Sequence, residues 1–315
     1  MNINGISNAS FLDEAATSLQ NHDNVAQTMA MIVAELHRER STCSMEDWKQ
    51  FATVACRQHP LLELLHQDPF TYRAFSKPRG YAGDAEMLDF IYASEDGLIP
   101  PVLERTSELG RQICHYTSNG DAPQAVRARR RIIIEKVNEV AASISKPHVL
   151  SLACGHLSEA RHCSAFLEGR LGRYVAIDQD TESLEVVQRQ VGALGVETVH
   201  ASVRDVLKGQ LALGNFDLIY VSGLHDYLSL RVAQRLSEIL FGMLNPGGRL
   251  LINNYVPNII NAGYMEVYMD WWLIYRTEAE LRQLADTLPS EQVARLHYFT
   301  EEQNIIAFLE VERKA

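Results

Sequence analysis

No apolar run in this sequence reaches the roughly 18–20 residues that a membrane-spanning helix needs, so no membrane association of that kind is expected. Positive charge is scarce: 29 Lys and Arg stand against 40 Asp and Glu, a net charge of −11. A chain that neutralised a run of phosphates or docked on an anionic bilayer would carry the opposite balance. Neither nucleic acid nor membrane is therefore expected as a partner. Cysteine is sparse and odd in number. Cys43, Cys56, Cys114, Cys154 and Cys163 give no C-x-x-C pair and no Cys/His zinc spacing, so no metal site is read and reduced thiols in a cytoplasmic protein are the expectation. The first twenty residues, MNINGISNASFLDEAATSLQ, lack the basic start and apolar stretch of a secretory signal, which points the same way. The disordered class is excluded too, because 46% hydrophobic and 22% charged residues are values of a folded globular chain. At 315 residues there is room for two domains.

What is present falls into two parts. From about residue 10 to 145 apolar residues recur every three or four positions, as in VAQTMAMIVAELHRE and EDWKQFATVACRQHPLLELLHQ, and this predicts four to six helices. LIPPVLERTSELGRQICHY opens on prolines suited to a first helical turn, and Asp121 is placed to cap DAPQAVRARRRIIIEKVNEVAASI. From residue 148 short β-rich runs alternate with helical patterns. HVLSLA, RYVAID, ETVHAS, FDLIYVS and GRLLINNY read as five strands with room for crossover helices, hence a parallel sheet. VARLHYFT and IIAFLEVER are separated only by the short polar stretch EEQN, which is hairpin spacing.

Five alternating units followed by a hairpin is the order of the class I methyltransferase fold. The second part of the chain resembles S-adenosylmethionine-dependent methyltransferases, and LNPGGRLLI, residues 244–252, is similar to the turn before their fifth strand. The expected architecture is α/β: a Rossmann-like domain over residues 126–315, with five parallel strands and a terminal antiparallel hairpin, preceded by a helical cap or substrate domain over 1–125. FSKPRGYAGDAEM in the first part, with RARRRIIIEK and ACGHLSEAR, resembles proteins of 3-hydroxypalmitic acid methyl ester biosynthesis. The resemblance implies S-adenosylmethionine as cofactor.

VLSLACGHLSEARH, residues 149–162, then reads as the first strand and the cofactor loop, although it holds one glycine where a dinucleotide fingerprint has three. The resemblance implies that Ala153, Cys154, Gly155 and His156 cradle the methionine part of the cofactor. Ser151 stands where the family has an acid, and Ala153 and Leu157 where it has glycines, so an altered loop is expected at Leu157. Asp178 ends the second strand 23 residues after Gly155, the spacing at which a carboxylate meets ribose hydroxyls, with Asp180 as a second candidate. Ser202, Val203 and Asp205 match the family's adenine-edge segment, and Arg204 and Asp205 also suit a plain surface pair.

The fourth strand leads into SGLHDYL, where Ser222 is expected near the cofactor. His225 can serve there as general base, orient a substrate carboxylate or cap the next helix. Asp226 and Tyr227 share the position, and Asn254 and Tyr255 follow strand five. Tyr264, Tyr268, Trp271, Trp272 and Tyr275 recur at helical spacing, which predicts a packed helix, while aromatic faces also attract a sulfonium. In the helical part Tyr81 and Asp84 suit either a lid or an ordinary turn. Arg127, Arg129 and Arg130 lie where one can grip a carboxylate.

The candidate set is thus His225, Tyr255 and Tyr81 for catalysis, and Asp84, Arg127, Asn254 and Trp271 for substrate. The expected reaction is methyl transfer to a small-molecule oxygen, carboxylate or hydroxyl, or to nitrogen. Two alternatives stay open: ring closure of the cofactor to azetidine-2-carboxylate and methylthioadenosine, and non-catalytic cofactor binding. There is no N-P-P-Y-type motif for nucleic-acid methylation. The partners expected are a small-molecule substrate and, in a homodimer, a second copy of the chain.

Overall fold

The computed structural model describes residues 10–209 and 211–315, so the first nine residues of the expected helical domain lie outside the described residues. One seven-stranded sheet runs β3-β2-β1-β4-β5-β7-β6. Its strands are β1 His148–Leu152, β2 Arg173–Asp178, β3 Val196–His200, β4 Phe216–Val221, β5 Leu244–Tyr255, β6 Val293–Thr300 and β7 Ile306–Arg313. The first five pair in parallel and β7 is antiparallel to both neighbours. This is the expected class I methyltransferase arrangement.

Side chains alternate across the sheet. Leu150, Leu152, Val175, Ile177, Ile219, Val221, Leu250 and Ile252 form a core with Ala233, Leu236 and Leu240 of the helix Leu230–Gly242. On the other register Ser151 pairs with Tyr220, and the Tyr174 and Tyr220 hydroxyls lie 2.6 Å apart. The hairpin turn has its own device: the buried Glu301 carboxylate accepts the amides of Gln303, Ile305 and Ile306 at 2.6, 2.6 and 3.0 Å. These are donors that a free turn would leave to water.

The chain divides into two units. One holds the described residues up to Arg127 together with 258–272, and the other holds 128–257 and 273–315. The first is helical: Ser10–Gln20, Val25–Thr42, Met45–Gln50, Leu61–Leu65, Pro69–Ser76, Ala85–Ala93, Glu108–Asn119 and Ala262–Tyr268. These exceed the expected count because short helices stop at caps and prolines. The helix Glu108–Asn119 starts at its cap Ser107, after a separate turn Pro101–Arg105.

The return of residues 258–272 to the helical unit was not expected, and buried polar pairs explain it. Glu266 accepts Arg40 through Nε and Nη2 at 2.7 and 2.8 Å and Trp48 Nε1 at 2.6 Å. Tyr264 Oη lies 3.0 Å from Thr71 Oγ1. Gly263 is needed because a Cβ there would sit 2.9 Å from the Leu36 backbone. The aromatic segment is helical only to Tyr268. Asp270 has φ +46 and binds Arg57, Lys77 and the Trp272 indole, so the helix expected through Tyr275 ends here.

Candidate active site

The loop after β1 keeps a left-handed backbone at alternate residues: Ala153 at φ +56, Gly155 at +53 and Leu157 at +48. For a residue with a Cβ this conformation costs about 1–2 kcal/mol. The alteration expected at Leu157 is therefore one of side chain. The backbone keeps the form that glycine adopts freely, and Leu157 is 1% exposed, so packing offsets the strain. Cys154 N–H donates to Ile177 O at 3.0 Å, tying the loop to the end of β2.

Asp178 completes that tie. Its Oδ2 accepts Gly155 N–H at 2.8 Å and its Oδ1 accepts Asp180 N–H at 2.9 Å. Burial pushes its carboxyl above the ordinary value, and these two donors pull the other way. Each oxygen has a second lone pair, which suits the group to a pair of ribose hydroxyls. Asp180 caps the helix Thr181–Val191 through Glu182 N–H and Ser183 Oγ. Ala201 N–H donates to Asp178 O, drawing the third segment to the same edge. There Asp205 Oδ2 accepts the Ser202 amide and hydroxyl at 3.0 and 2.6 Å, a capping box that holds its carboxyl below the usual range. Val203 is half-buried against the sheet core.

Beyond β4, Ser222 precedes Gly223, whose φ is +73. A Cβ on Gly223 would lie 3.1 Å from Arg129 Nη1, so the glycine lets the buried guanidinium lie over the loop. Gly223 N–H is held by Asn253 Oδ1 at 3.2 Å.

His225 follows in the turn His225–Tyr227. It is fully buried, and neither ring nitrogen has a hydrogen-bond partner. Burial, with Arg276 adding repulsion, lowers its pKa to about 3, so the imidazole is neutral. Asp226 accepts Tyr255 N–H at 2.8 Å, and burial raises its carboxyl to about 6.

Arg276 was missed in the sequence. Its guanidinium donates to His225 O at 2.6 Å, to Leu228 O and to Asn254 Oδ1, and its N–H donates to Tyr255 O at 3.0 Å. It therefore fixes the turn that presents His225. The only available signal was a cation inside an aromatic segment.

Other candidates have different work. Asn254 is fully buried and its amide is bonded to Tyr255 O, Ile274 O and Arg276, which makes it a strut of the His225 turn. Arg127 donates to Ile91 O, Ser94 Oγ and Ser118 O, closing helix ends within the helical unit. Asp84 caps the helix Ala85–Ala93 through Met87 N–H and takes a bidentate pair from Arg73 at 2.9 and 2.7 Å. A short carboxylate before a helix is a strong cap. Trp271 is buried with its N–H on Met265 O, and half-buried Tyr81 lies in the turn before Asp84; both belong to the helical unit.

Residues 149–248 match a family model described as a methyltransferase domain, a span that holds the Gly155 loop, Asp178, the Ser202–Asp205 box and His225. Residues 149–248 thus hold a methyltransferase domain. A possible exported protein from Bordetella parapertussis superposes with a TM-score of 0.59 at 17% identity, over 74% of this chain and 80% of that one, and shares the fold. N-methyltransferase NodS from Bradyrhizobium japonicum WM9, in complex with S-adenosyl-L-homocysteine, gives 0.43 at 14% identity over 59% and 87%. Magnesium protoporphyrin IX methyltransferase from Synechocystis PCC 6803, with bound S-adenosylhomocysteine, gives 0.46 at 12% over 62% and 88%. No curated protein matches the sequence. Among the described residues no helix is long and apolar enough to cross a membrane, and no group of three or more His, Cys, Asp or Glu is placed to hold a metal ion.

Proposed function

We propose that this enzyme methylates a carboxylate oxygen of a small molecule, giving a methyl ester. The observation that carries the reading is His225, fully buried beyond the carboxyl end of β4 with both ring nitrogens unpartnered. A buried polar atom without a partner costs about 1–3 kcal/mol, and a bound acceptor relieves that cost.

The chemistry of the ring selects among acceptors. An imidazole whose conjugate acid has a pKa of about 3 is a poor proton acceptor near neutrality. A hydroxyl or ammonium acceptor has to lose a proton, and a carboxylate does not. A neutral imidazole still has one N–H to donate, which orients an anionic oxygen without taking anything from it. His225 is thus read as an orienting donor and no longer as a base. The resemblance to 3-hydroxypalmitic acid methyl ester biosynthesis proteins supports the same product class.

S-Adenosylmethionine supplies the methyl group as a sulfonium electrophile. The residues suited to hold it are the Gly155 loop, Asp178 for the ribose hydroxyls, Ser202 to Asp205 at the adenine edge and Arg129 for the carboxylate end. Arg276 and Asp226 keep the His225 turn in place.

The test is the chemical stability of the product. Enzyme with methyl-labelled cofactor and a panel of fatty, hydroxy and aromatic acids is expected to give label that mild base releases as methanol. Label stable to base would mark an ether or amine and contradict the ester reading.

A further inference from the structure

S-Adenosylmethionine ends in an amino acid, so its site must answer an ammonium as well as a carboxylate. In β1 the position that carries an acid in the resembled family is the buried, neutral Ser151. A carboxylate stands elsewhere. Glu159, two residues beyond Leu157 in the turn Ser158–His162, is 9% exposed.

Its surroundings form a line of hydroxyls. Glu159 Oε1 accepts the Tyr220 hydroxyl at 2.5 Å, and that hydroxyl lies 2.6 Å from Tyr174 Oη. Ser151, the register partner of Tyr220, reaches the same hydroxyl. The line begins on β2, passes the position of the missing acid and ends on a carboxylate in the next turn. A carboxylate has about four acceptor positions, and the Tyr220 hydroxyl and the residue's own backbone N–H do not fill them. Arg129 and Arg130 lie near enough to favour the ionised form, and burial outweighs them, so the carboxyl is raised from its usual value. A further cation placed against it would restore that balance.

We propose that Glu159 receives the α-ammonium of the cofactor, having taken over from the strand a charge that Ser151 lacks, with Arg129 beside it for the α-carboxylate. The inference rests on the cofactor assignment. It makes the intact amino-acid arm the feature by which this chain tells S-adenosylmethionine and S-adenosylhomocysteine from methylthioadenosine, which has the same nucleoside and no arm.

Calorimetric titration with S-adenosylhomocysteine and with methylthioadenosine separates the possibilities. In Glu159→Gln, affinity for S-adenosylhomocysteine is expected to fall about 10- to 100-fold, the value of a lost charge-assisted bond, with methylthioadenosine affinity unchanged. Tyr220→Phe keeps the carboxylate and loosens it, so a smaller loss, again confined to S-adenosylhomocysteine, is expected. Equal losses for both ligands would make Glu159 a support of the loop alone and overturn the proposal, as would no loss for either. Wild-type enzyme that binds neither ligand would overturn the cofactor assignment beneath it.

Discussion

Gly155 N–H donates to Asp178 Oδ2 at 2.8 Å, joining the loop after the first strand to the end of the second. The bond makes the loop and the carboxylate one unit before any ligand arrives. Asp178→Asn puts an amide where two backbone donors converge and removes acceptor capacity for the ribose. Affinity should fall about 10- to 100-fold for S-adenosylhomocysteine and methylthioadenosine alike, because both carry the ribose. A loss confined to one of them in calorimetry would contradict the role given to Asp178.

The loop also stores strain that a single substitution relieves. Ala153 holds φ +56, so Ala153→Gly removes about 1–2 kcal/mol of strain and adds about 0.5–1 of chain entropy. A net gain of about 1 kcal/mol is expected. Leu157→Gly has the opposite sign, because the buried side chain is lost at about 2–5 kcal/mol or more. Urea denaturation of the two variants checks both signs.

His225 and Asp226 give opposed pH dependences. From about pH 3 to 6.5 the unfolded chain binds a histidine proton that folded His225 refuses, so rising pH favours the fold. From 3.8 to about 6 folded Asp226 keeps a proton that the unfolded chain has lost, so rising pH disfavours it. Asp226→Asn removes the second contribution and keeps the first. Thermal stability measured from pH 4 to 6 should then rise more steeply than in the wild type, by at most about 1.4 kcal/mol per pH unit. Parallel profiles would contradict the burial argument for Asp226.

In the helical unit Glu266 anchors Arg40 and Trp48. Glu266→Ala takes the carboxylate from the half-buried Arg40 guanidinium and from the buried Trp48 indole N–H, and a loss of about 1–3 kcal/mol is expected. Glu266→Gln, which keeps an acceptor, should lose less. Denaturation followed by tryptophan fluorescence tests the order of the two.

The strands and the Asp178 position were legible because their information is local: alternation and spacing along the chain. The hydrogen-bond partners of Asp84, Arg127 and Asn254 were not. A short carboxylate or amide serves a helix end as readily as a ligand, and only the three-dimensional neighbours decide. Arg276 and the return of 258–272 to the helical unit depend on partners distant in sequence, as with Trp48 and Glu266, 218 residues apart. No spacing rule reaches that far. Ser151 and Glu159 show a third case, in which the departure from the familiar pattern was visible and its compensation was not.

The most direct measurement is the fate of the cofactor. Purified enzyme incubated with S-adenosylmethionine and a carboxylic acid acceptor, followed by mass spectrometry, should yield S-adenosylhomocysteine and methyl ester in equal amounts. Methylthioadenosine formed together with azetidine-2-carboxylate, without any acceptor, would contradict methyl transfer.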